Sequence, residues 1–493
     1  MEQHLSELKE KLAQYIDTFN TLDDELCIQA IPNDRALAYL LENIPLLDCP
    51  EKELEETYYF RWWTFRKHWK QTPKGHILTE FLPPVPWSGP FNSINCPSCL
   101  HIREGRWLRD TGGWLREYMD FWLNGHGDSH AYSAWYPAAV WEYCSLRGEY
   151  SYGLQRLPQM IEFYARREQE HRHTSGLYWS IDDRDGMEYS ISGTGLRPTI
   201  NSYVWADARA IGNFAALAGD PSTAQLYFDK AAALKERMEK HLWDGSFYKT
   251  VPAESIHAEA RWERAPEHNV RELIGYIPWY FDLPEPGKAE AFRWLKDADG
   301  FAAPAGLTTA ERSHPRFMEP HGHECLWNGP AWPFATSQTL VAAANMLRKE
   351  ACSGFASGDY YALLLQYARS HHRTDEQGNR LPWIDENMDP FTGRWLSRDI
   401  LESWGWKEEK GGYERGKDYN HSLFCDLVLD GLLGIGADKD GHIRVDPLIP
   451  EDWDYFWVEN VTVHGRLYRI VYDKDGSHYG TAAGLHCYEL ISN

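Results

Sequence analysis

No stretch of this 493-residue sequence stays apolar long enough to cross a bilayer as a helix. Basic residues are also scarce, with 50 Lys and Arg against 73 Asp and Glu and a formal charge of −23. Nucleic acids are held by a basic face, so this balance argues against such a partner and leaves a neutral or cationic small molecule. Cysteine is sparse and unpatterned. There are nine, an odd number with no disulfide framework, which fits reduced thiols in a cytoplasmic protein. The one close pair, Cys96 and Cys99 with His101 nearby, lacks the second Cys-x-x-Cys that four-ligand structural zinc requires. No metal and no cofactor are expected. The opening "MEQHLSELKEKLAQYIDTF" does not read as a signal peptide, because Leu5, Leu8, Leu12, Ile16 and Phe19 recur at amphipathic-helix spacing. A repeat of fixed period is missing as well.

Aromatic residues, in contrast, are plentiful. Tryptophan occurs 23 times and tyrosine 28 times. A buried indole needs a partner for its N–H, so core building alone seldom calls for so many. Sugar rings stack on indole faces, and a carbohydrate partner is one reading; a large helical protein with an aromatic core is the other.

Helical periodicity predominates up to about residue 435. Helices are expected near 3–20, 34–44, 51–70, 108–124, 132–147, 153–170, 200–218, 221–241, 285–297, 330–348, 358–371 and 417–433. The connections 72–107, 174–199, 299–329 and 373–416 are long, aromatic and rich in Gly and Pro. They are too aromatic for disorder, so they are expected to be ordered and to form a site. About a dozen helices with elaborate alternate loops suggest an all-α toroid of helical hairpins over residues 1–435. Beyond Gly434, "IRVDPLIP", "YFWVENVTVHG" and "RLYRIVYDKDG" alternate apolar and polar residues, which predicts a small β-rich segment over 436–493 packed on the toroid.

Four loop segments concentrate carboxylates and tryptophans. In "YWSIDDRDGMEYSISG", Asp182, Asp183, Asp185 and Glu188 crowd around the single Arg184, and mutual repulsion should raise at least one pKa, as a general acid requires. In "WIDENMDPFTGRW", Asp385 and Glu386 lie between Trp383 and Trp395. In "HGHECLWNGPAWP", Trp327 and Trp332 flank Asn328. In "HIREGRWLRD", Glu104, Arg106 and Asp110 could clamp hydroxyls beside a Trp107 platform, or form an ordinary salt-bridge set. Two acidic loops some 200 residues apart, each dressed with Trp, suggest glycoside hydrolysis, which needs one protonated and one ionised carboxyl on opposite faces of a sugar.

Residues 100 to 435 resemble the helical-toroid glycoside hydrolases that include trehalases, mannosyl-oligosaccharide glucosidases, and mannosylglycerate and glucosylglycerate hydrolases. "WNGPAWPFATSQTL" (327–340) resembles that group's Trp-x-Gly-Pro-x-Trp segment. "ENMDPFTG" (386–393) is similar to its Glu-x-x-x-Pro-x-Thr-Gly, and "DGMEYS" (185–190) to its Ser-Gly-Met-Asp-Asn-Ser. The resemblance implies an (α/α)6 toroid, inversion of anomeric configuration, a catalytic base at Glu386 and a general acid at Glu188. The group carries Asp at that last position, so Asp185 and Asp183 stand as alternative acids. Residues 58–107 depart from trehalases and look more like a bacterial subgroup of unassigned substrate. Arg106, Trp107, Asp110, Asp185, Trp327, Asn328, Trp332, Trp383, Asp385 and Trp395 are expected to bind the sugar, an α-glucoside being the group's commonest theme. A homo-oligomer is left open. Two rival readings are a sugar epimerase using His101, His321, His323 and His421, and a non-catalytic glycan-binding module.

Overall fold

The computed structural model describes residues 1–490. Its helices fall into two classes by burial. Pro198–Leu217 is buried on nearly every side, whereas Pro221–His241 buries only Ala224, Tyr227, Ala231, Leu234 and Met238, a single stripe at helical spacing. Pro333–Lys349 and Ser357–Ser370 repeat this contrast, as do Lys52–Lys67 and Glu2–Thr21. A helix that is apolar all round must be enclosed, while one with a single apolar stripe faces solvent. The two classes therefore form an inner and an outer ring, the double ring of a helical toroid. The turn between Pro221–His241 and its partner shows local sequence at work. Asp220 accepts the Thr223 N–H at 3.0 Å, and Pro221 occupies the first helical turn, where its missing N–H costs nothing.

Departures from the expected helices have local causes. The helix expected from residue 108 begins only at Trp114, because Asp110 and Gly113 adopt positive φ and the Asp110 carboxylate caps Trp114 N–H at 2.8 Å. The segment near 285–297 tightens to a 3-10 helix, Ala289–Leu295. The long connections hold two unexpected helices, Ser98–Gly105 and Leu396–Ser403. The expected 417–433 helix shrinks to a short turn containing the π-helical stretch Leu427–Leu432. It starts late because the buried Glu104 carboxylate accepts the backbone N–H groups of Phe424, Cys425 and Asp426 at 3.1, 2.9 and 2.8 Å, fixing its first turn. Among the described residues, no helix is long and apolar enough to cross a membrane.

The C-terminal sheet is not built from 436–493 alone. Its antiparallel order runs Leu46–Asp48, Tyr455–Val463, Arg466–Asp473, Gly484–Leu490, so an N-terminal strand forms one edge. Trp457 and Val471 on its inner face pack on Leu8 of the first helix, and Lys11 reaches Asp48 at 2.5 Å and Glu55 at 2.8 Å. The sheet thus ties both ends of the described chain to the helical body. Replacing the fully buried Trp457 by Ala should cost about 3–5 kcal/mol in urea unfolding, the usual range for losing a large core aromatic. An intact denaturation midpoint would show that the sheet contributes nothing to the body's stability.

Candidate active site

The long loops converge on one cavity of about 300 Å³. Its walls include Glu80, Trp87, Tyr132, Glu188, Trp332, Glu386, Arg415, Tyr419 and His421. Both carboxylates singled out in the sequence, Glu188 and Glu386, open onto it.

The Glu188 loop is held by a tight turn and by a buried carboxylate. A 3-10 turn, Asp182–Asp185, ends at Gly186 with φ +71°, and a Cβ there would lie 2.7 Å from Cys96 Sγ. Glycine is required at this position both for the left-handed backbone and for the close approach. Asp185 is buried and immobilised. It accepts Arg197 Nε at 2.5 Å, Ser133 Oγ at 2.6 Å and the Thr199 hydroxyl. Asp185 is therefore an anchor of the loop, not a free acid. Asp183 lines the cavity but remains exposed. Glu188 forms no side-chain hydrogen bond among the described residues, while its carbonyl accepts Trp327 N–H at 3.0 Å. Burial chiefly, then the negative charges of Asp183 and Glu386, push its carboxyl up to about 8.

Glu386 sits in a different environment. It is 1% exposed, and its Oε2 accepts Arg415 Nη2 at 2.8 Å and Cys325 Sγ at 3.2 Å. Oε1 lies 2.7 Å from Arg415 Nε without a hydrogen bond forming, and no other described residue bonds to it. Burial raises this carboxyl, and the Arg415 guanidinium opposes the rise. Arg415 is itself shared with Glu324 at 2.6 Å, whose carboxyl is drawn down to about 2 by Arg415 and Lys410 against the effect of its burial. Asp385 stands behind the pair, accepting Glu386 N–H at 2.9 Å and Arg398 Nε at 2.7 Å. Gly416, with φ +84°, lets the Arg415 segment pass over it, since a Cβ there would come within 2.1 Å of Asp385 Oδ1. The Glu386 loop is joined to the Trp-x-Gly-Pro-x-Trp segment by paired backbone bonds of 2.9 Å between Ala331 and Met388.

The expected sugar-binding residues divide sharply. Trp332 lines the cavity, with Trp327 stacked behind it at 4.4 Å. Asn328 turns away to Glu319 O at 2.8 Å. Trp383 offers no free face, because Arg373 and Arg398 lie 3.9 and 4.6 Å from its ring centroid. Trp395 bonds to His372 O and lies against a separate small cavity. Arg106 and Trp107 belong to a buried set around Asp426, at 2.8 Å each, joined by Arg103 at 2.7 Å. Asp110 caps a helix. These three do not reach the cavity; Arg106 takes the salt-bridge alternative, and Glu104 is the cap described above. Of the four histidines, His323 and His421 line the cavity. His101 is held between Tyr118 and Asn420, and His321 stacks on Tyr189.

Several cavity residues had no signal in the sequence reading. Glu80 is the clearest. It follows the strand Gly75–Leu78, accepts Tyr419 OH at 2.7 Å, and lies 3.2 Å from His421 Nε2. Burial chiefly raises its carboxyl to about 8. Trp87, at the mouth, keeps one face toward Arg415 at 4.6 Å and stays partly exposed. A partly exposed Trp beside a Pro-rich turn was the available cue.

Against known families, residues 90–422 match the mannosylglycerate hydrolase MGH1-like glycoside hydrolase domain, and residues 437–486 match the glycosyl hydrolase family 65 C-terminal domain. A solved structure named "Sialidase" is 37% identical with a TM-score of 0.88, covering 98% of this chain. The present chain spans 43% of the length of that protein. The α-L-rhamnosidases of Streptomyces avermitilis and of Bacillus sp. GL1 share the fold, with TM-scores of 0.53 and 0.51 at 10% and 14% identity. The first is covered over 87% of this chain and 36% of its own, the second over 88% and 40%. The body is thus an (α/α)6 toroid with a small C-terminal sheet.

The placement of Arg106 and Trp107 can be checked directly. Asp426→Ala would leave the Trp107 N–H unpartnered and Arg103 and Arg106 with only Asp430 and Glu142, and should cost about 3–5 kcal/mol in chemical denaturation. If the folded variant instead lost sugar affinity with its stability intact, the set would belong to the binding site after all.

Proposed function

The chain belongs to the mannosylglycerate hydrolase MGH1-like glycoside hydrolase family, and from that premise we propose that it is an inverting, exo-acting glycosidase for α-linked small glycosides or glycoconjugates. The observation that carries this reading is the contrast between two carboxyls facing one cavity. Glu188 has no cationic partner and holds its proton at neutral pH. Glu386 is paired with Arg415, which favours its ionised form. A protonated acid and an ionised base on opposite walls are what single-displacement hydrolysis needs.

In this mechanism Glu188 donates its proton to the glycosidic oxygen as that bond breaks. The Glu386 carboxylate accepts a proton from the attacking water. Arg415 and Cys325 hold Oε2 and so fix the plane of the carboxyl. Asp385 fixes its backbone. Inversion requires room for water, with the carboxyls about 6.5–9.5 Å apart. Glu80, protonated at neutral pH, serves as a hydrogen-bond donor to a sugar hydroxyl, with Trp332 and Trp87 as apolar walls. An exo mode fits a cavity of about 300 Å³, which has space for little more than one or two sugar rings.

The reading is tested on a panel of α- and β-linked disaccharides and aryl glycosides, with proton NMR of the first-formed anomer. Release of the sugar with the opposite anomeric configuration is expected; retention would refute the assignment of Glu386 as base. Glu386→Gln should lose about 10²–10⁴ in kcat with the fold unchanged, and Glu188→Gln should lose as much on alkyl glycosides but far less on aryl glycosides with acidic leaving groups. If Glu188→Gln keeps full activity on alkyl glycosides, Glu188 is not the acid.

The pH profile gives an independent check. The acid must be protonated, so kcat/KM should fall as pH rises through about 8. The Asp183 charge contributes to the raised pKa of Glu188, so Asp183→Asn should move that alkaline limb to lower pH. A limb that stays in place would dissociate Glu188 from it.

A further inference from the structure

A second cavity of about 290 Å³ lies beside the first, lined by Asp128, His130, Tyr132, Ser133, Arg167 and Arg184 among others. Tyr132 and Arg184 border both cavities. Arg167, on the helix Tyr150–His171, is 2% exposed yet pairs with no carboxylate among the described residues. Its guanidinium makes only two contacts, both long: Nη2 to Tyr132 O at 3.4 Å and Nη1 to His171 Nε2 at 3.4 Å. His171 uses its other ring nitrogen on Trp179 O at 2.9 Å, so Nε2 is an acceptor and brings no counter-charge. The Phe163 ring, at 5.5 Å, adds only weak cation–π attraction.

A buried cation normally has a hydrogen-bonded counter-charge, and one without it needs an explanation such as an ion held in the adjoining space. Arg184 supplies a second guanidinium at the same cavity, spread over the Tyr132 ring at 5.8 Å. The acid bordering this space is Asp128, an exposed residue whose Oδ1 accepts His130 N–H at 3.1 Å. His130 is itself engaged with Phe163 O and Ser129 Oγ. Arg184 forms a long ion pair of 3.8 Å with the exposed Asp183 carboxylate, while Arg167 pairs with no carboxylate among the described residues, so the pocket keeps a buried cation inside a strongly acidic protein.

We propose that this side cavity is an anion site in which Arg167 and Arg184 bind a phosphate- or carboxylate-sized group. Guanidinium groups suit such ligands, since their N–H donors match oxyanions in pairs. The site does not depend on the hydrolase reading. Its neighbourhood to the Glu188 loop gives the anion two possible sources, a free ion or a charged substituent on the glycoside itself.

The test uses the full chain and inorganic phosphate, with chloride at equal ionic strength as control. Phosphate should raise the melting temperature of the wild type in a saturable manner. Arg167→Met, which removes the buried charge while keeping much of the apolar bulk, should abolish that rise. Arg184→Ala, on an exposed side chain that folding does not require, should weaken phosphate binding by about tenfold or more, as expected for loss of a charge-assisted hydrogen bond. No phosphate-specific shift in the wild type, or an undiminished shift in Arg184→Ala, would overturn the proposal. Where Arg167→Met fails to fold, the Arg184→Ala titration decides alone. The source is then resolved by kinetics on neutral and phosphate-bearing glycosides. A free-anion site changes turnover of the neutral glycoside when phosphate is added, whereas a substrate subsite makes phosphate compete only with the charged glycoside and raises its KM in Arg184→Ala. Absence of turnover on every glycoside would count against the hydrolase reading and leave the melting result standing.

Discussion

Arg415 is the interaction on which the cavity depends. An aromatic-walled pocket inside a helical ring is a poor place for carboxylates, and burial of each ion costs several kcal/mol unless a partner compensates. Arg415 meets this cost for two of them, Glu386 at 2.7 and 2.8 Å and Glu324 at 2.6 Å, and so binds three separate loops into one wall. Among the cavity's other carboxyls, Glu188 and Glu80 have no such cation, and burial chiefly raises both to about 8. One guanidinium therefore gives chemically similar side chains different electrostatic surroundings.

The same principle operates away from the cavity with a different outcome. Asp426 gathers Arg103, Arg106 and Trp107 into a buried set near the foot of the inner helices, and Asp185 gathers Arg197, Ser133 and Thr199 beneath the Glu188 loop. In both sets the carboxylate is held by several donors, and their role is to pin backbone. Arg167 breaks the pattern as a buried guanidinium with no carboxylate bonded to it among the described residues, and for this reason it points to something outside the chain.

Tryptophan abundance has a similarly mixed meaning. Trp332 and Trp87 face the cavity, but Trp327 supports Trp332 from behind and Trp383 is covered by Arg373 and Arg398. An indole in a loop next to acids looks alike in all four cases when read along the chain. Trp383 differs from Trp332 in the cations that arrive over its ring, and Arg398 comes from a helix that begins after the loop has closed.

The sequence by itself determined what rests on local chemistry. Helical periodicity marked most of the ring helices, the shift to alternation marked the strands beyond Gly434, and the short motifs around Glu188 and Glu386 placed both side chains at what proved to be the same cavity. Those motifs are legible because turns such as Pro-Phe-Thr-Gly and Asp-Gly-Met impose backbone geometry over a few residues. The tertiary structure alone decided which charged residues are partners. Glu80, Arg415 and Arg167 sit in ordinary-looking segments, and nothing within several residues of each marks it as buried. Leu46–Asp48 is likewise too short to declare itself a strand until Tyr455–Val463 pairs with it. Burial and pairing are set by residues on other elements, 29 positions away for Arg415 and Glu386 and 339 for Glu80 and Tyr419. Because a charge's cost depends on its dielectric surroundings and its neighbours, no reading along one dimension can assign it.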